Sequence, residues 1–243
     1  MSIYELQVHI KLLSDTTFGR GDGIAGLVDQ EVEHDSYGFP YLRGRTLKGL
    51  LSEECDNLIV LLEGDLFRHW KDIRNKLFGV SGSVIETISI MHFGDACLPD
   101  KLREAVGIQI EKERKKEQPA LTPTDILDSL TTIRRQTAIN SNNGTADKGS
   151  LRSARVVMRD RVAEPSVYRP KTPSRFTAFL FFDEEPTPEM KALLTVGVLA
   201  LRHIGSGRNR GRGHVQCSLC NASGEEITQD FVDLFGKIEE VNK

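Results

Sequence analysis

The 243-residue sequence predicts an α+β fold built on a βαββαβ unit. Three observations predict it. An alternating N-terminal segment, YELQVHIKLL over residues 4–13, is followed by a leucine-rich helical stretch. A polar, arginine-rich insertion with Asn, Gly, Ser and Asp at its centre interrupts the middle of the chain. The C-terminal third then reads aromatic strand, helix, glycine-rich loop, strand.

In order along the chain, residues 4–13 form a half-buried strand, and a glycine-rich loop, FGRGDGIAGLVDQEV, covers 18–32. The segment HDSYGFPYLRGRTLKGLL turns at 37–40 and enters a helix with Thr46 near its N-cap. Leu47, Leu50, Leu51, Leu58, Leu61 and Leu62 are its apolar positions. A second helix, FRHWKDIRNKLFG, stops at Gly79, and a strand is expected within 84–98. The run EKERKKEQ at 111–118 has mixed signs and reads as a solvated helix face. Residues 130–161 predict a long projecting hairpin with its tip near 142–149. RFTAFLFFD at 175–183 is the third core strand. The following helix has Thr187 as N-cap and Pro188 in its first turn. Residues 213–219 form the last core strand, and QDFVDLFGKIEE closes as an amphipathic helix. With the insertion removed, the order is that of a ferredoxin-like (RRM-like) βαββαβ core. No linker divides it, so one domain over 1–243 is expected, with an insertion at 99–130 and the hairpin at about 130–161.

Composition narrows the function classes. No apolar run approaches the roughly 18 residues of a membrane span, and the N-terminus lacks a signal-peptide pattern, so a cytoplasmic protein without membrane partners is expected. Disulfides are therefore not expected among Cys55, Cys97, Cys217 and Cys220. The net charge of −3 excludes a generic basic nucleic-acid coater, so nucleic-acid binding must come from local clusters.

The densest such cluster is IGSGRNRGRGHV at 204–215. Gly205, Gly207, Gly211 and Gly213 allow positive φ and close backbone approach, and Arg208, Arg210 and Arg212 supply guanidinium forks for phosphate. Consecutive amides in such a loop form an anion-binding concavity. No Gly-Lys-Ser/Thr follows, and the loop comes after a helix. It is neither a Walker loop nor a dinucleotide fingerprint. Arg43, Arg45 and Lys48 form a second cluster at a helix start, where the dipole also favours anions.

Three segments together resemble the RAMP superfamily, most closely the backbone subunits of type III CRISPR effector complexes. They are the loop at 205–213, the helix entry FPYLRGRTLKG at 39–49, and RRQTAI at 134–139 with 151–157 behind it. The last is similar to the family's thumb hairpin. The resemblance implies a guide (CRISPR) RNA-binding subunit that stacks with further RAMP-family subunits and the large signature subunit. Single-stranded target RNA would pair with the guide. RNA contacts are implied for Arg20, Arg43, Arg45, Lys48, Arg134, Arg135, Gly205, Gly207, Arg208, Arg210 and Arg212. The family's catalytic aspartate in the first loop, "I-D-S/N-P-V", aligns with VDQEV at 28–32, making Asp29 the catalytic and metal-binding residue. Gln30 and Glu31 depart from the pattern. The implied chemistry is metal-dependent cleavage of the target, with Mg2+ or another divalent cation stabilising charge on phosphoryl oxygens.

Three other readings fit the same sequence. A guide-binding subunit without an active site has the same architecture. A metal-independent processing endoribonuclease would use a histidine, for which His34 in its loop is the candidate. An unrelated RRM-like binder is weakened by the lack of an RNP1 pattern. Asp22, Glu31, Glu33 and Asp35 are rival carboxylates to Asp29. His214, Cys217 and Cys220 have zinc-like spacing, but on a strand Cys217 and Cys220 face opposite sides.

Overall fold

A computed structural model describes residues 4–80, 89–160, 174–232 and 235. Four strands form an antiparallel sheet in the order β2 (Met91–Phe93), β5 (Arg175–Phe182), β1 (Tyr4–Leu12), β6 (Val215–Asn221). That is the ferredoxin-like order once the separate two-stranded sheet of β3 (Thr131–Gln136) and β4 (Arg152–Val157) is set aside.

Strand alternation decides what lies beneath the sheet. Leu6, Val8, Ile10 and Leu12 of β1 are buried, with Ile10 opposite Phe176 on one side and Cys217 on the other. Helix α1 (Gly44–Ile59) covers this face with Leu47, Leu51, Cys55 and Ile59, spaced by four residues along one stripe. Each such leucine stabilises the fold by about 1.5–3 kcal/mol relative to an exposed one. Helix α5 (Pro188–Ala200) packs beside α1, and Gly197 permits that approach because a Cβ there would meet Cys55 Sγ at 2.5 Å. Its N-terminus is as expected: Thr187 accepts from Met190 N at 3.3 Å, and Pro188 follows.

Several boundaries differ from the sequence expectation. Helix α1 starts two residues before Thr46, at Gly44, whose amide donates to Asp95 Oδ1 at 2.7 Å. A Cβ at Gly44 would strike the Phe93 and Gly94 carbonyls, so the Arg-Gly-Arg entry is a packing requirement. The helix ends at Ile59, and Leu61 is exposed. Helix α2 (Gly64–Phe78) does stop at Gly79, whose φ is 78°. The strand expected over 84–98 is short, because past Phe93 the chain makes only isolated bridges from Ala96 to Leu42 and from Cys97 to Thr177; residues 84–88 lie outside the described part.

The insertion holds two helices, α3 (Asp100–Glu113) and α4 (Pro123–Leu130), the latter with a Thr122–Asp125 capping box. The mixed-charge run is helical only to Glu113, and that residue is buried, accepting from Lys116 and the Ala120 amide. The closing helix is described over 228–232 and at 235, where Phe235 packs on Trp70; the rest of the segment lies outside.

Strands β3 and β4 pair from Thr131 with Val157 to Gln136 with Arg152, and a long turn joins them. This hairpin is tied to the core where Thr16, just past β1, bridges Val157. Thr17 Oγ1 donates to the Arg155 carbonyl beside it.

Candidate nucleic-acid interface

The glycine–arginine loop is fixed at both ends. The Ile204 amide donates to the Gly213 carbonyl, and the Ser206 amide to the Thr17 carbonyl. All four glycines have φ between 71° and 79°. Their reasons differ. A Cβ at Gly205 or Gly213 would collide with the Thr17 or Ile204 carbonyl, whereas at Gly211 it would meet open space. Gly205 and Gly213 therefore close the loop, and Gly207 and Gly211 bound a single 3-10 turn at Arg208–Arg210. This turn fans the arginines into three cavities: Arg208 toward the α1 start, Arg210 toward the hairpin turn, and Arg212 toward the hairpin base.

The two hairpin cavities are about 500 and 460 Å3 and share Gln136. Arg134, Arg135 and Arg159 line the first with Arg212; Arg152 lines the second with Arg210. Sequence-distant arginines thus meet in one groove. Burial, and then the neighbouring Arg134 and Arg210, lower the pKa of Arg212. Only part of that charge is answered internally. Asp15 pairs with Arg134 at 2.9 Å and accepts from the Arg159 amide, while Arg135, Arg208 and Arg210 have no ion-pair partner among the described residues. Asp15, Arg152 and Arg159 were missed by sequence reasoning because nothing local marks them; they matter through contacts formed by folding.

The α1 start is different. Arg43 pairs with buried Glu33 at 2.6 Å, and Tyr41 donates to the same carboxylate. Asp95 already occupies the Gly44 amide at the positive helix end. Arg45 is exposed and unpaired among the described residues, but Lys48 is half-buried, with its pKa lowered by burial and by Arg74. The expected triplet is therefore split. Arg43 and Arg208 line one cavity of about 220 Å3 with Thr46, and Lys48 turns toward α2. Arg20 is half-buried and paired with Asp22 at 2.7 Å.

Asp29 lies in a strip laid along β4. The Asp29 and Gln30 amides donate to the Ser153 carbonyl, and the Arg155 amide donates to the Gln30 carbonyl. Ahead of the strip, Gly23 has no room for a Cβ beside the Val28 and Asp29 carbonyls, which sets the tight turn. The Asp29 carboxylate is exposed; Oδ2 accepts from Ser153 N at 2.6 Å and Oγ at 3.0 Å. These bonds, the backbone one first, hold its pKa below the usual aspartate range. Oδ1 has no partner among the described residues.

The rival carboxylates are each engaged elsewhere. Glu31 is fully buried and paired with Arg155 at 3.0 Å, and Arg155 also reaches Asp128 at 2.7 Å and Thr131 Oγ1 at 3.1 Å. Glu31 is thus a structural partner, not a second free acid. Asp35 caps its own turn and pairs with Arg103; Glu33 and Asp22 hold arginines. The His34 ring is tied to the Asp35 carbonyl at 3.1 Å.

No group of three or more His, Cys, Asp or Glu among the described residues could hold a metal ion by itself. Cys217 sits in the core, its thiol pushed up to about 12 by burial, while Cys220 contacts His9 from the opposite face. No helix among the described residues is long and apolar enough to cross a membrane.

No curated protein matches the chain. Its fold matches a chain of the type III-B Cmr-beta assembly solved by cryo-EM bound to cognate target RNA, at TM-score 0.60 and 13% identity, covering 94% of this chain and 99% of that one. A chain of type III-B Cmr-beta in its apo state matches at TM-score 0.57 and 14% identity, covering 89% and 97%. The RAMP superfamily model matches residues 9–216, from within β1 to the start of β6 and so across the insertion, the hairpin and the glycine–arginine loop, and the chain belongs to the RAMP superfamily.

Proposed function

We propose that this protein is a guide RNA-binding backbone subunit of a type III CRISPR effector complex, and that it cleaves the target RNA paired to that guide. The observation that carries the binding half is the groove of two adjoining cavities, in which Arg134 and Arg135 of the hairpin face Arg212 of the loop, and Arg152 faces Arg210. Family membership and the fold shared with chains of a target-RNA-bound type III-B assembly support the same reading. The hairpin takes the part of the thumb, entering the guide–target duplex, and Arg208, Gly205 and Gly207 contact the guide backbone at the α1 side. Arg45 and, when released from their carboxylates, Arg43 and Arg20 extend that contact.

Cleavage rests on Asp29. Its carboxylate is ionised, exposed and immobilised by Ser153, so one oxygen is offered at a fixed position. A lone carboxylate oxygen suits Mg2+ or another divalent cation that takes its remaining ligands from water and RNA phosphate. Such an ion would stabilise charge developing on the phosphoryl oxygens. The target's own 2′-hydroxyl would attack its 3′-phosphate, leaving a 2′,3′-cyclic phosphate and a 5′-hydroxyl. Asp29 orients that nucleotide, and the β4 anchor keeps the carboxylate in place.

A second reading, a guide-binding subunit without activity, is favoured by one observation: among the described residues no other free carboxylate accompanies Asp29, because Glu31 is buried against Arg155. Copurification from the native host followed by sequencing of bound RNA tests the assignment. A bound guide with a defined repeat-derived start is expected. RNA-free complexes, or random cellular RNA, would contradict it.

A further inference from the structure

We propose that a second cavity, at the loop end of the sheet and lined by Lys11, Arg175 and Arg202, binds the phosphate backbone of an RNA strand continuing out of the hairpin groove. This rests on the RNA-binding reading of that groove.

The cavity measures about 540 Å3. Lys11 of β1 lies directly opposite Arg175 of β5, and Gln216 of β6 flanks Lys11 on the other side. Like charges at a directly opposed cross-strand pair destabilise a sheet. None of Lys11, Arg175 and Arg202 has an ion-pair partner among the described residues, although acidic residues outnumber basic ones in the chain. Arg202 is brought to the rim by its carbonyl, which accepts from the Val215 amide at 2.9 Å. Glu226 also lines the cavity, so three cations face one carboxylate. His9 adds no positive charge, since burial, and then Arg175, lower its pKa. Gln216 and Ser218 offer neutral hydrogen-bonding groups between the cations. Unpaired guanidinium and ammonium groups around polar neutral side chains suit phosphodiesters.

Position links this cavity to the groove. Lys11 precedes Ser14 and Asp15 of the groove lining by only three and four residues, about 10 Å of extended chain. At the boundary His203 and His214 form a bridge with their rings stacked, centroids 5.2 Å apart and both exposed. The Leu13 and Ser14 amides both donate to the His214 carbonyl, which fixes this step against β1. Stacked imidazoles give a base a flat surface between two phosphate sites. The track therefore runs from Arg210 and Arg212, past the histidine pair, to Lys11, Arg175 and Arg202.

The test uses the full chain with single-stranded RNA of about 8 and about 30 nucleotides, followed by fluorescence anisotropy over a range of salt. The variants are Lys11→Glu/Arg175→Glu/Arg202→Glu and the milder Lys11→Gln/Arg175→Gln/Arg202→Gln, each checked for wild-type thermal unfolding. Both should bind the short RNA as the wild type does. The long RNA should bind at least about tenfold more weakly, with a salt slope smaller by about two, since each lost phosphate contact on a single strand removes about 0.7. Unchanged affinity and slope for the long RNA would overturn the proposal. Unchanged RNA binding with lost assembly would overturn it in favour of an acidic protein partner. If the wild type binds neither RNA and groove variants change nothing, the groove reading itself falls, and this extension with it.

Discussion

Two strips of the molecule meet the β3–β4 hairpin, and they are built on opposite electrostatic plans. In the groove facing the glycine–arginine loop, arginines from four segments line adjoining cavities, and Arg134 and Arg210 add to burial in lowering the pKa of Arg212. In the strip along β4, each charged group has an internal partner: Glu31 meets Arg155, Arg155 meets Asp128, and Asp29 is held by Ser153. An excess of like charge attracts counterions, which suits the groove to the polyanion of the proposed function. Internal partners around the buried Glu31–Arg155 pair stiffen the strip without a ligand, which suits it to holding the Asp29 carboxylate in place. Under the proposed function this is a division of labour, with binding on one surface and positioning on the other.

The largest effect should come from breaking the matched strip. Arg155→Ala leaves Glu31 buried without its cation, which costs about 3–5 kcal/mol in such pairs. Denaturant unfolding should show that loss, and a change within error would mean that the strip does not depend on the pair. Paired replacement, Arg155→Met with Glu31→Leu, should recover most of it, because an apolar pair of similar volume removes the unpaired charge.

Next in size is the groove. Arg134→Ala/Arg210→Ala/Arg212→Ala should leave unfolding nearly unchanged, since these side chains hold little of the core. The salt slope of RNA binding should fall by about two, at about 0.7 per phosphate contact. Arg43→Ala, which removes an internally paired cation, should alter the slope much less. Equal effects of the two variants would erase the contrast between surplus and matched charge.

The smallest effect is a shift in titration. Asp29's pKa is depressed in the folded state, first by the Ser153 amide and then by its hydroxyl. The interaction thus contributes stability that is complete above the ordinary aspartate range and is lost as pH falls through the depressed value. Ser153→Ala should move the Asp29 titration upward, short of the ordinary value, because the amide donor remains. Carboxyl NMR titration reads this directly, and no upward movement would discount the hydroxyl.

Much of the architecture was legible because it is written locally. Alternation in β1, the Thr187–Pro188 entry to α5 and the Gly79 stop each carry their own signal. The glycine–arginine loop was equally visible, although only folding separates Gly205 and Gly213, which close it, from Gly207 and Gly211, which shape its turn. What could not be read was long-range. Ser153 is 124 residues from Asp29, and Arg155 is equally far from Glu31, so a rival acid in the sequence became a buried strut in the fold. Thr46 looked like a cap because threonine often is one; the helix instead takes its acceptor from Asp95, on another segment. Arg43, Arg45 and Lys48 looked like one cluster because a sequence cannot show Glu33 or Arg74 beside them.

Under the proposed function, the groove holds RNA while Asp29, on the separate strip, acts in its cleavage. Asp29→Ala in the assembled complex, supplied with divalent cation and a matched target, tests both halves in one sample. Guide content and assembly should equal those of the wild type while regularly spaced target cuts disappear. Cleavage at the wild-type rate would remove Asp29 from the reaction, and loss of the guide would show that the two strips are not separate in function.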